Sequence, residues 1–178
     1  MKILIYGIGN PGRQDDGLGA LLVEEIRRAT QGASGADHQF SFDANYQLNI
    51  EDAEAISRHD IVVFADASLG TADDAADAST DDGGPFRLYQ IGPEPTASFS
   101  THSVSPGGIV ALCNELYGAH PRTYMLAIRG YEWGVNEPLS EDARRGLDAA
   151  VRFLFGAVNS PDGDDRSNSH SLLDRFVS

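Results

Sequence analysis

Apolar residues along this chain gather in short, β-rich runs separated by stretches with a helical period. The runs are Ile3–Tyr6, Phe40–Phe42, Ile61–Phe64, Phe86–Ile91 and Tyr124–Ile128, each short enough to be a strand buried in a sheet. Between the first two, Leu18, Leu21, Leu22 and Ile26 fall on one face of a helix. A weaker helical pattern covers Glu51–Ser57. A clearer one follows Ser105, a suitable cap, with Pro106 at the first helical position and Ile109, Leu112, Cys113 and Leu116 in one stripe. The last begins after Ser140. There Glu141 and Asp142 suit the positive end of the helix dipole, Ala143, Leu147, Ala150, Val151 and Leu154 supply the apolar positions, and Gly156 can end it. Strands alternating with helices predict an α/β fold: a single-domain, three-layer αβα sandwich around a mostly parallel sheet of about five strands. Phe86–Ile91 follows a loop rather than a helix, so it is expected to pair antiparallel at or near an edge.

Two segments fall outside this pattern. Gly70–Gly84 (GTADDAADASTDDGG) is too polar to bury and reads as a mobile loop. The domain is expected over residues 1–156, followed by a polar, acidic tail over 157–178 in which Leu172–Val177 can dock or fray. With 27 acidic side chains against 13 basic, the net charge is −14. Such a surface repels DNA and RNA, whose binding relies on Lys and Arg, and it disfavours an anionic membrane surface. There is no apolar run of about 18 residues and no signal-peptide pattern, so a cytoplasmic protein is expected. The single Cys113 rules out an internal disulfide and any Cys-cluster metal site.

Candidate chemistry begins at the first turn, in MKILIYGIGNPGRQDDGLG. A strand running into a Gly-rich turn before a helix commonly binds phosphate, but Asp15 and Asp16 would repel one there. For the same reason a nucleotide-binding Rossmann reading fails. Ligands of open α/β sheets sit beyond the carboxyl ends of the strands. Asp15 and Asp16 follow the first strand, Asp66 closes the third in VVFADAS, and His102 in STHSVSP stands just before the third helix. If that helix crosses over to the last strand, one imidazole and two carboxylates converge on one crevice. Such a set suits a borderline divalent metal such as nickel, zinc or cobalt, with coordination positions left open. Blander uses exist for each residue: Asp15 or Asp16 can cap the first helix, Asp66 can close a turn, and His102 can be an ordinary helix-start histidine. His38, His59, His120 and His170 read as solvated, and Cys113 as core. Ser100, Ser103 and Ser105 are possible nucleophiles, but no G-x-S-x-G elbow appears, and Ser105 suits a cap.

GIGNPGRQDDGLG, followed by VVFADAS and STHSVSPGGIVAL, resembles the hydrogenase maturation protease family, the endopeptidases that trim the C-terminus of the large subunit of nickel–iron hydrogenases. The likeness continues through HPRTYMLAIRGYEW and EPLSEDARRGLDAAV, and so spans most of residues 2–155. It implies a mostly parallel sheet between helices. It also implies a metal-contacting and catalytic set formed by an acid in the first loop, an Asp after the third strand and a His, which fall here on Asp16, Asp66 and His102. By the same resemblance the nickel is carried by the partner, the immature large subunit, which is cut a few residues downstream of its metal-binding Cys motif, after a basic residue. The three residues would complete the coordination of that ion, Gly9 and Asn10 would shape the turn, and Asp15 is available to assist as a base. The Gly70–Gly84 loop is longer than the family's usual connection and stands where it can help select the partner. Two other readings remain open. One is a chaperone-like module that binds a metalloprotein precursor without cutting it. The other is a peptidyl-tRNA hydrolase, suggested by GIGNPG but lacking the histidine expected soon after it.

Overall fold

A computed structural model describes residues 1–30, 38–69, 84–94 and 104–159, with side chains up to 156. In chain order its elements are β1 (Lys2–Ile8), a single 3-10 turn (Gln14–Gly17), α1 (Leu18–Thr30), β2 (Gln39–Asn45), α2 (Asp52–Ile56), β3 (Ile61–Ser68), β4 (Phe86–Ile91), α3 (Pro106–Tyr117), β5 (Arg122–Arg129) and α4 (Glu141–Asn159). The five strands form one sheet in the order β2-β1-β3-β5-β4. Every pair is parallel except β4 with β5. The expected antiparallel strand at an edge is therefore β4. The Gly70–Gly84 loop, save Gly84, and the tail beyond Asn159 lie outside the described residues, as does His102.

Alternating side chains of the central strands feed two cores, one on each face of the sheet. Ile3 and Ile5 of β1, Ile61, Val63 and Ala65 of β3, and Leu126 and Ile128 of β5 pack beneath α1 and α4. Leu4, Tyr6, Val62 and Phe64 point the other way, against Ile56 of α2 and Ile109, Val110 and Cys113 of α3. This is the three-layer αβα sandwich. The strands run further than their apolar runs: β3 continues through Asp66 to Ser68, and β1 through Gly7 to Ile8. Ladder hydrogen bonds do not need apolar side chains, and at the carboxyl ends the chain turns small and polar as it leaves the core.

α3 begins and ends as its sequence suggests. The Ser105 hydroxyl accepts the Gly108 N–H at 3.0 Å, and Pro106 occupies the first turn. Gly118 closes the helix in the left-handed region at φ 60°. Its last turn is not covered, so Leu116, expected in the buried stripe, is 60% exposed. α4 corrects a second expectation. Gly156 does not end it; the helix runs on to Asn159. Only Gly9 and Gly118 among the described glycines adopt positive φ, and without that conformation a glycine does not terminate a helix.

The first turn of α1 lies directly on strand backbone. A Cβ on Gly19 would sit 2.2 Å from the Ala65 carbonyl oxygen and 2.3 Å from that of Ile8, and one on Gly7 would sit 2.4 Å from the Gly19 carbonyl oxygen. Gly156 faces open space by the same measure. Gly19→Ala should therefore lift α1 off the sheet and cost about 1–3 kcal/mol or more. Gly156→Ala should stabilise the chain by up to about 1 kcal/mol. Urea midpoints of the two variants, moving in opposite directions from the parent, check both.

Candidate active site

β1 and β3 are neighbours, but β1 connects to β2 on its other side, so the gap between them at the carboxyl edge is the point where the winding of the sheet reverses. Open α/β sheets place their ligands at such points. The chain enters this gap at Gly9, at φ +121°, with its N–H donated to the Asn45 carbonyl at 3.1 Å. The Asn10 side chain accepts the Gly12 N–H at 2.8 Å, closing a tight turn, and the 3-10 turn carries the chain back over Gly9. A Cβ on Gly9 would lie 2.0 Å from the Asp16 carbonyl oxygen and 3.7 Å from the Asp66 carboxylate. Only glycine lets these elements meet. Gly9 and Asn10 thus shape the turn as the sequence suggested.

Asp16 is half-buried, with its carboxylate accepting the Asn10 N–H at 3.3 Å. Asp66 is in phase with Val62 and Phe64, so it leaves β3 on the face covered by α2 and α3. Its carboxylate accepts the Ala67 N–H at 2.8 Å. Burial pushes the Asp66 carboxyl up to about 7; the Ala67 hydrogen bond opposes this, and the negative charge of Asp16 adds to it. Asp16 and Asp66 therefore come together. α3 runs antiparallel to β5, so it starts at this same edge, and the Val104 N–H just before it reaches the Leu48 carbonyl at 3.4 Å. His102 itself lies outside the described residues. Among the described residues no group of three or more His, Cys, Asp and Glu side chains is placed to hold a metal.

Asp15 behaves quite differently. It is fully buried, and one carboxylate oxygen accepts the N–H groups of Tyr131 at 2.8 Å and Glu132 at 3.0 Å together with the Ser140 hydroxyl at 2.7 Å. The other accepts the Ser140 N–H at 2.9 Å. Burial alone would raise its pKa; the hydrogen bonds from Ser140, Tyr131 and Glu132 outweigh it and hold the carboxyl below the usual range. With its oxygens so occupied, Asp15 is not placed to act as a base, nor does it cap α1. Asp16 does not cap it either, since its carboxylate is turned to Asn10.

Gln14 strengthens the same junction. Its amide donates to Glu132 at 2.6 Å and accepts the Gly134 N–H at 2.7 Å, while the Asn136 N–H reaches the Gly12 carbonyl at 2.9 Å. Residues 130–140 are thereby fastened along the first loop. Nothing in the sequence identified these partners, because all of them lie more than a hundred residues away in the chain.

Of the remaining candidates, Ser100, Ser103 and His170 lie outside the described residues. Cys113 is buried, its thiol directed at the Ala53 carbonyl at 3.4 Å, and burial pushes the thiol up to about 11. His120 is exposed. His38 and His59 are half-buried rather than solvated: the His38 ring stands edge-on to Phe40, and a His59 ring nitrogen meets the Ala55 carbonyl at 2.9 Å.

No protein-family model matches the chain, and no curated protein matches it either. Solved structures do. The chain is similar to the NiFe hydrogenase maturation protease HycI of Thermococcus kodakarensis KOD1, with a TM-score of 0.59 at 20% identity over 86% of this chain and 90% of that one. The solution structure of the endopeptidase HycI of Escherichia coli gives 0.59 and 20% over 88% and 90%. The hydrogenase maturating endopeptidase HybD of E. coli gives 0.58 and 15% over 86% and 90%. The class defined by the fold is thus an αβα sandwich whose sheet reverses its winding between β1 and β3. In particular, it is the fold of the hydrogenase maturation proteases.

Two outcomes follow for the acids. Asp15→Ala strips the acceptor from buried donors and should cost on the order of 3 kcal/mol at pH 7. Because the Asp15 pKa is lowered on folding, its stabilisation exists above the unfolded value near 4 and disappears as pH falls through the folded value. The gap between variant and parent in urea melts should accordingly close in acid. Asp66 has the opposite sign. With its pKa raised to about 7, the parent loses stability as pH rises from about 4 through 7. Asp66→Asn should match the parent near pH 4 and exceed it by about 1–3 kcal/mol at pH 8, a range reduced for partial solvent screening.

Proposed function

We propose that the chain is an endopeptidase that removes the C-terminal extension of the immature, nickel-loaded large subunit of a nickel–iron hydrogenase, acting in the cytoplasm and recognising the metal that its substrate carries. The observation that carries this reading is the meeting of Asp16 and Asp66 at the point where the sheet's winding reverses. The fold shared with endopeptidases of hydrogenase maturation supports it.

Two half-buried carboxylates held together repel one another, and a cation relieves that repulsion. Asp66, with its pKa near 7, gives up its proton as the ion arrives, so two anionic oxygen donors face it. His102, in the segment leading into α3, is the third ligand in this proposal. The substrate-borne ion then polarises the scissile carbonyl or activates a water. The chain's own part is to hold the ion and orient the peptide against it. Asp15 takes no part in the chemistry; it keeps the 3-10 turn, and hence Asp16, in place.

The test is conversion of a nickel-loaded precursor followed by intact mass. Asp16→Asn keeps size and the Asn10 contact but removes a charged donor, and His102→Ala removes the imidazole. Each should lower the processing rate at least about a hundredfold while leaving thermal stability near that of the parent. Normal processing by either variant, or equal processing without nickel, would overturn the substrate-metal mechanism. A stable complex without loss of peptide mass would favour the non-cleaving binder instead.

A further inference from the structure

Of the eight exposed large apolar side chains among the described residues, Met1, Leu116 and Tyr117 lie at the amino edge of the sheet and five lie at its carboxyl edge. Tyr46 and Ile50 follow the carboxyl end of β2, Leu69 follows that of β3, and Tyr131 and Val135 follow that of β5. All five therefore stand at the edge that holds Asp16 and Asp66, on both sides of the β1/β3 gap. Their exposure is substantial: 70% for Tyr46, 64% for Leu69 and 69% for Val135. Large apolar groups held in water at one edge mark an interaction surface, and tyrosine suits such a place because it joins a broad apolar face to a polar tip.

Their positions are set by the site itself. Asn45, beside Tyr46, accepts the Gly9 N–H at 3.1 Å. Ser68, beside Leu69, accepts the Gly130 N–H at 2.8 Å. The Tyr131 N–H is bound to the Asp15 carboxylate at 2.8 Å, and Asn136, beside Val135, donates to the Gly12 carbonyl at 2.9 Å. Four of the five side chains thus project from backbone tied directly to the framework of the acidic pair. A rim so anchored is preorganised, which lowers the entropic cost of binding.

Charge narrows the occupant. The centre holds two carboxylates and the whole chain carries −14. A second copy of this chain would bring acid pair against acid pair, and anionic lipid or nucleic acid would meet the same repulsion. We infer that Tyr46, Leu69, Tyr131 and Val135 form a docking rim for a protein segment that presents apolar side chains on both sides of a cationic, metal-bearing centre. This deepens the protease reading and rests on it. The acids select the charge, and the rim selects the residues that flank it.

The test uses the full chain and a purified nickel-loaded precursor. Tyr46→Ser, Leu69→Ser and Val135→Ser change exposed side chains and should leave the fold intact, as thermal melts will verify. Leu116→Ser, equally exposed but in the last turn of α3 at the opposite end, is the control. Each rim variant should raise KM about fivefold to tenfold with kcat within about twofold, because apolar contacts away from the reacting atoms are uniform binding. Leu116→Ser should process as the parent does. Rim variants with the parent's KM, or a control that raises KM as much, would overturn the docking rim while leaving the protease reading intact. A parent chain that leaves the precursor uncut overturns the protease reading instead. In that case calorimetric binding of the precursor by the same panel decides the rim: unchanged affinity in the rim variants, or no binding by the parent, overturns it.

Discussion

A carboxylate buried as an ion must be surrounded by donors, and Asp15 draws its donors from the far end of the chain. Tyr131, Glu132 and Ser140 lie between the end of β5 and the start of α4. Satisfying Asp15 therefore pins that connection to the turn after β1. The same contact sets the entry to α4, since the Ser140 hydroxyl that donates to Asp15 also accepts the Ala143 N–H at 3.2 Å. α4 in turn covers Ile128 and packs alongside α1. One buried ion thus couples the first loop, the last loop and the helical layer on one face. Low local dielectric makes such a group strong when its partners are present and costly when any is missing.

Backbone contacts complete the arrangement. Gly7 and Gly19 let α1 rest on β1 and β3, and Gly9 lets the 3-10 turn fold onto the strand ends. These approaches leave no room for side chains, so the acids are delivered by backbone geometry rather than by long flexible arms. Asp16 and Asp66 have short side chains for the same reason: a group placed by a fixed backbone needs little reach, and it loses little rotamer freedom when it binds.

What was legible in the sequence was local. The five strands, the Ser105 cap with Pro106 behind it, the edge position of β4 and the two-faced core all follow from apolar period and helix-end chemistry, each read within a few residues. Asp16 and Asp66 were legible as candidates because position after a parallel strand is also a local property. The distinct fates of Asp15 and Asp16 were not, for they depend on partners at 131–140. Leu116 and Gly156 depart from the helical pattern for a related reason. Periodicity assigns a helix face but does not say how far the covering layer extends, and a glycine stops a helix only if the chain beyond it turns into the left-handed region.

The opposite treatment of neighbouring aspartates has a geometric origin. In a 3-10 turn successive residues are separated by roughly 120° around the axis, against about 100° in an α-helix. Asp15 can then point into the molecule while Asp16 points to the mouth, with no break between them. Donors gather around the inward carboxylate and keep it ionised. Around the outward one and its companion Asp66, the described residues supply one N–H each, from Asn10 and Ala67. The buried acid has its charge fully compensated and is inert. Among the described residues the pair at the mouth has fewer donors than Asp15 has, so neighbouring positions on one turn carry carboxylates in two different electrostatic settings.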